Sequence, residues 1–250
     1  NNISVVVDAK FPHHLEILAG ALKKIYNKKR FLFRSAASFI NAVADLPPNP
    51  KNISDLISLK TKNIDFQYRP GLIMVGSHVK LATDQLQMLF NESSCEGLEI
   101  SVGQLAAILE IEECQKLILE FEGILLSKIQ SILDRNKIPV LYTTRQEMQF
   151  ASHLERMNFG LSLAEFMAIL VGKMSDKLGY IISKGGTTTQ LLLQKGLNLD
   201  QVNLKGQIMP GLSMVQSLSE KNNLPVITFP GNLGNENTLL EAFRLMESKC

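Results

Sequence analysis

The chain has 250 residues, with 26 lysines and arginines against 24 aspartates and glutamates, a formal net charge of +2. Those charges are interspersed, with no arginine-rich stripe, which argues against a reader of nucleic-acid backbones; no run reaches the roughly 18 apolar residues of a membrane span. Apolar residues make up 45% and charged residues 20%, so the expectation is a soluble globular protein with one large or two modest cores. Cys95, Cys114 and Cys250 are odd in number and widely spaced, without a CxxC, which suits a reducing, cytoplasmic setting and gives no metal spacing.

Taken in chain order, Ile3 to Val7 is short and β-branched and is expected to be a strand, although it opens abruptly, as a piece of something longer would. Leu15, Leu18, Ala19, Leu22 and Ile25 then recur at helical spacing, Phe31 to Phe33 reads as a second strand, and RSAASFINAV turns into a helix. Leu46 to Gln67, with its PPNP and many polar residues, reads as a linker, placed at 46–70. A strand–loop–helix unit starts at Gly71 with LIMVGSH. Leu98 to Val102 is expected as a short strand, Glu112 to Arg135 as one long amphipathic helix, and Ile138 to Tyr142 as the next strand. Leu161 to Leu178 reads as a helix and Tyr180 to Ser183 as a strand; Val202 to Ile208 and Pro225 to Phe229 complete the strands, and Glu236 to Met246 is a terminal helix. This alternation predicts an α/β fold, a three-layer αβα sandwich around a mostly parallel or mixed sheet, with 71–250 as one domain. Ligands in such sheets gather at the C-terminal strand ends.

Three strand ends carry glycine. Gly185 and Gly186 precede Thr187, Thr188 and Thr189 at a helix start, where bare amides and hydroxyls suit a phosphate oxygen. A tight turn with a helix cap explains the same residues without a ligand. PGNLG, Pro230 to Gly234, repeats the pattern: the amides of Gly231 and Gly234 can form an anion nest, and Asn232 can hold a phosphate oxygen or a metal-bound water. A simple turn is again the alternative. Gly76, Ser77 and His78 form the third such end, with His78 either a base or a surface residue. Arg145, past YTT, is placed for a bidentate grip on phosphate, and Arg34 has the same attraction to an anion. Asp8 suits a substrate hydroxyl or a loop cap. Pro210-Gly211 in IMPG reads as a type II turn that can also wall a pocket. His13 and His14 diverge and lack a third ligand. Neither GxGxxG, GxxxxGK[ST] nor GxSxG occurs.

As an ordered set, KGGTTT (Lys184 to Thr189), GQIMPG (Gly206 to Gly211) and FPGNLG (Phe229 to Gly234) resemble the four-carbon acid sugar kinases, a family formerly grouped as a domain of unknown function. GSH after Val75, TDQL at Thr83 to Leu86 and YTTR at Tyr142 to Arg145 add to the likeness, which covers roughly residues 71–250. FRSAASF, Phe33 to Phe39, is similar to a motif near the end of the family's acid-sugar-binding domain, with Ser35 in place of the usual threonine.

The resemblance implies an ATP-dependent kinase for threonate, erythronate or a related acid. ATP and Mg2+ would lie over Gly76, Ser77, His78, Arg145, Gly185, Gly186, Thr187, Thr188, Gly211, Gly231, Asn232 and Gly234. The acid would meet Asp8, Arg34 and Ser35 on residues 1–45, a C-terminal remnant of the acid-binding domain. The remaining partners it implies are the rest of that domain or a second copy of the chain. Leu191 departs from the pattern near a position where members often carry an acid, which puts phosphoryl transfer in doubt while leaving nucleotide binding intact. The other reading is a non-catalytic α/β binding module derived from such a kinase.

Overall fold

A computed structural model of the chain describes residues 3–45, 52–145, 148–219 and 223–248. It separates into two compact units, Asn1–Pro50 and Lys51–Cys250.

In the smaller unit, α1 (Pro12–Lys23) and α2 (Ala37–Ala44) pack together, with Ala19, Leu22 and Phe39 buried. The two strands expected there do not form: Ile3 to Val7 and Phe31 to Phe33 have no regular secondary structure and join no ladder among the described residues. β-propensity supplies a conformation and not a partner, and an isolated strand gains nothing in water. Val6 is accordingly 93% exposed and Leu32 fully so.

Among the described residues, the larger unit is built on seven strands: β1 (Gly71–Val75), β2 (Cys95–Ile100), β3 (Ile138–Thr143), β4 (Tyr180–Lys184), β5 (Val202–Met209), β6 (Leu212–Ser217) and β7 (Val226–Phe229). Their order is β2-β3-β1-β4-β7-β6-β5. The first five in that order are parallel, while β6 runs antiparallel to both β7 and β5, so the sheet is mixed. Leu72, Met74, Leu141, Ile181 and Val226 face one apolar layer; Ile73, Val75, Val140, Ile182 and Ile227 face the other. Burial on both faces is why these strands read as continuous apolar runs and not as alternating ones.

Helices α5 (Val102–Leu109), α6 (Gln115–Asp134) and α7 (His153–Gly172) cover the first layer, and α3 (Ile53–Ile57), α4 (Lys80–Leu89) and α9 (Thr238–Glu247) the second. The three-layer αβα expectation holds. Among the described residues, no helix is long and apolar enough to cross a membrane.

Several boundaries differ from the sequence reading. α7 begins at His153, eight residues earlier than Leu161, because Ser152 Oγ accepts from the Glu155 amide at 3.1 Å while Glu155 Oε2 accepts from the Ala151 amide. Its far end is Gly172, followed by a 3₁₀ turn at Ser175–Lys177. Residue Val102, expected in a strand, instead starts α5, capped by Ser101. Of the span read as a linker, 46–51 lies outside the described residues. Beyond it, Leu56 and Ile57 are buried in the second apolar layer, and the Thr61 amide donates to the Gly179 carbonyl at 3.0 Å.

Candidate functional site: a glycine-lined edge at four strand ends

Because β3, β1, β4 and β7 are parallel and adjacent, their C-terminal ends lie along one edge of the sheet. The ladder continues into the loops there: the Gly76 amide donates to the Lys184 carbonyl at 3.1 Å, and the Gly185 amide to the Phe229 carbonyl at 2.9 Å. Three glycine loops are thereby tied to one another. Ser77 lies between them. A Cβ at Gly231 would stand 2.8 Å from Ser77 Oγ, and one at Gly185 would stand 3.5 Å from the Ser77 amide nitrogen. Gly185 also has φ +121, outside the range that side chains tolerate.

The three threonines after the glycines divide by direction. Thr187 and Gly186 are exposed, and nothing among the described residues lies within 4 Å of where a Gly186 Cβ would be. Thr188 is buried under Gly76, although it still lines a neighbouring cleft. Thr189 points inward, its hydroxyl 3.0 Å from the Ser183 carbonyl, so of the hydroxyls at the helix start this one is used within the fold. Helix α8 (Gly186–Leu191) is short and passes into a π-helical turn, Leu192–Gly196; Leu191 packs on the first apolar layer.

The PGNLG loop is held from below. Gln85 on α4 is fully buried and its Nε2 donates to the carbonyls of Leu233, at 3.1 Å, and Asn235, at 2.6 Å. Thr238 accepts from the Asn235 amide at 2.9 Å, and a Cβ at Gly234 would overlap its hydroxyl. Asn232 is left exposed. From the other side comes the β5–β6 hairpin, whose turn residue Gly211 has φ +82, as the second central residue of a type II turn requires. A Cβ there would approach Leu233 to 2.8 Å.

Cations surround the middle of this edge. Arg145 donates from Nη1 to the Ser77 carbonyl at 2.6 Å, whereas its buried Nε and Nη2 have no partner among the described residues. Burial holds its pKa below the ordinary value, opposed by Tyr142 and Glu99. His78 Nε2 lies 3.2 Å from Thr143 Oγ1. Burial first, then the charges of Arg145 and Arg156, keep this imidazole below its usual pKa, even though part of the residue reaches solvent. A cleft of about 360 Å³ opens beside it, lined by His78, His153, Arg156, Thr187 and Thr188 among others, with Met157 and Met167 on its apolar wall. Lys184 is wholly buried at the end of β4, 3.3 Å from the Pro230 carbonyl.

Every nucleotide-site residue expected from sequence thus lies on this edge or on the loops and turn that border it. Asp8, Arg34 and Ser35 are exposed residues of the smaller unit. Sequence reasoning passed over Gln85, which holds the PGNLG loop from below, and Arg156 and Lys184, two further cations at this edge. Gln85 and Lys184 sat inside TDQL and KGGTTT, motifs already noticed; for Lys184, an ammonium at the end of a largely apolar strand was the available signal.

A family model for a nucleotide-binding C-terminal domain matches residues 72–239. Among solved structures, a domain of unknown function from Bordetella bronchiseptica, a domain-swapped dimer with bound citrate, is similar at 15% identity and a TM-score of 0.56, covering 98% of this chain and 54% of that one. A second crystal form of it gives 16% identity, a TM-score of 0.53 and coverage of 96% and 51%. A candidate tRNA synthase from Salmonella typhimurium LT2 is similar at 18% identity and a TM-score of 0.62, covering 95% and 51%. The chain therefore spans about half the length of the solved structures it matches, and the likeness is one of fold. No curated protein matches it.

Proposed function

Since the chain belongs to the nucleotide-binding C-terminal domain family, we propose that it is the nucleotide half of an ATP-dependent kinase for a four-carbon sugar acid such as threonate or erythronate. The observation that carries this reading is the meeting of three glycine loops around Ser77 beside an arginine with two buried N–H-bearing nitrogens that have no partner among the described residues. A buried donor without an acceptor is costly, and a phosphate oxygen is the acceptor that such a cationic, amide-lined edge suits.

In this reading the phosphates lie over Gly76, Ser77, Gly185, Gly186, Gly231 and Gly234. Thr187 and Asn232 add exposed side-chain oxygens. Phosphoryl transfer is mostly positioning and charge stabilisation; the Gly76 and Gly185 amides are already used by the Lys184 and Phe229 carbonyls, so the remaining loop amides and the Arg145 guanidinium are the suitable groups for it. Magnesium fits as a phosphate-borne ion: the described residues contain no cluster of three or more His, Cys, Asp or Glu side chains able to cage a metal, and Mg2+ commonly keeps waters and phosphate oxygens as ligands. Thr187 and Asn232 are the side chains here that would face it. Bound, it would neutralise charge on the transferring phosphate.

The acceptor half of the reading is supported by the motif around Arg34 and by the citrate in the Bordetella protein, a hydroxy acid like threonate. Asp8, Arg34 and Ser35 are the proposed acid-binding groups, completed by a further domain or a second copy of the chain. Alone, the chain is expected to bind nucleotide and to transfer phosphate slowly or not at all. The test follows labelled γ-phosphate from MgATP into threonate or erythronate. Label appearing in the acid supports the kinase reading; nucleotide binding without transfer, even when the remaining domain is supplied, reduces the chain to a binding module.

A further inference from the structure

Lys184 has no place in the site as derived from sequence, and its surroundings are unusual for a lysine. It is fully buried, its ammonium 3.9 Å from the centre of the Phe229 ring and 3.3 Å from the Pro230 carbonyl. Among the described residues, no carboxylate lies within ion-pair distance of it. Such a cation is expensive to bury and is usually found paired. One carbonyl and one ring face leave part of that cost uncompensated, and the carbonyl belongs to the first residue of the PGNLG loop.

The position is central. β1 and β7 flank β4, with Val75 and Phe229 in register with Lys184, and the loops of all three strands meet immediately beyond. We propose that Lys184 is the charged floor of the phosphate site, its ammonium supplying the countercharge for a nucleoside di- or triphosphate laid across the Gly185 and Gly231 loops. This rests on the nucleotide reading and adds a residue and a charge to it. The arrangement sacrifices some stability of the empty protein for a desolvated cation that the ligand then neutralises.

Burial lowers the pKa of Lys184 to about 8. β1, β7 and α8 contribute no ionisable side chain beside it, as their sequences GLIMV, VITF and GTTTQL show. Lys184 shares its face of β4 with Ile182, toward α4 and α9, whose charges are Lys80, Asp84, Glu241, Arg244 and Glu247; burial alone is resolved as acting on the lysine. On the neighbouring loops, burial holds both His78 and Arg145 below their ordinary values, which takes the histidine further from this range.

The experiment titrates MgADP into the parent chain, Lys184→Met and Lys184→Arg at about pH 7 and about pH 9, and records thermal unfolding of each. Lys184→Met is expected to unfold at the parent's temperature or higher and to bind ADP at least about tenfold more weakly at the lower pH. Parent affinity falls by up to about tenfold per pH unit above the lysine's pKa, because the proton must be supplied on binding. That fall is absent in Lys184→Met and in Lys184→Arg, whose charge persists. Lys184→Met binding ADP as tightly as the parent, or a pH slope unchanged in both variants, overturns the assignment while leaving the nucleotide reading intact. A parent that binds no ADP overturns that reading itself. Should Lys184→Met fail to fold, the pH slope of Lys184→Arg decides alone.

Discussion

Thr188 occupies the space that a side chain at Gly76 would need: a Cβ built there would lie 2.9 Å from Thr188 Cγ2 and would overlap its hydroxyl. This packing pins the loop after β1 to the helix after β4, so the two halves of the phosphate edge are fitted to each other before any ligand arrives. Gly76→Ala is expected to destabilise the fold by about 1–3 kcal/mol, the usual cost of an overpacked site. Thr188→Ala in the same chain should recover at least half of that. A double-mutant cycle by denaturant unfolding measures the coupling, and additive effects would show that the two residues do not share this space.

Gly186 offers the opposite case. Nothing stands near its Cβ position, its φ is not in the left-handed region, and it is exposed. Gly186→Leu should therefore keep an unfolding midpoint close to the parent's while its side chain enters the ligand's space, weakening ADP at least about tenfold. Loss of folding in this variant would point to an unseen structural constraint at the helix start.

Gln85 makes a third prediction, on the loop from below. Its amide group holds two loop carbonyls, so Gln85→Leu leaves the core filled but the loop untethered. A stability loss of about 1–2 kcal/mol is expected from the two hydrogen bonds, together with weaker ADP binding. Faster amide exchange in 231–235, read by mass spectrometry, checks the mechanism; unchanged exchange there would separate Gln85 from the loop.

His78 sets a pH dependence. Its folded pKa lies below the value near 6.5 of an unfolded histidine, so between the two values the unfolded chain binds a proton that the folded chain does not. The contribution to stability is thus complete above about pH 6.5 and is lost as pH falls through the folded value. His78→Asn should lose less stability than the parent between about pH 7 and about pH 5. Equal losses in denaturant midpoint would place the acid sensitivity elsewhere.

The α/β alternation, the long helix α6 and the glycine-ended strands were legible because each follows from local pattern: an apolar run buried on both faces, a 3.6-residue period, a turn that needs bare backbone. Ile3 to Val7 misled because its pattern is equally local, whereas a strand exists only through its neighbour. The early start of α7 was written in Ser152 and Glu155 but obscured by an N-terminal half with little apolar periodicity, most of which is exposed. Lys184 and Gln85 were hidden for another reason. Their importance lies in which carbonyls they reach, Pro230 for one and Leu233 and Asn235 for the other, and those contacts span 46 and about 150 residues of chain.

The most direct test of the account is calorimetric titration of the chain with MgADP beside Gly186→Leu and Asn232→Leu, each first shown to be folded. Saturable one-site binding by the parent, weakened at least about tenfold in both variants, is the predicted result, since the two substitutions lie on different loops that the account joins into one site. Binding unaffected by either substitution would contradict it, as would a folded parent that takes up no nucleotide.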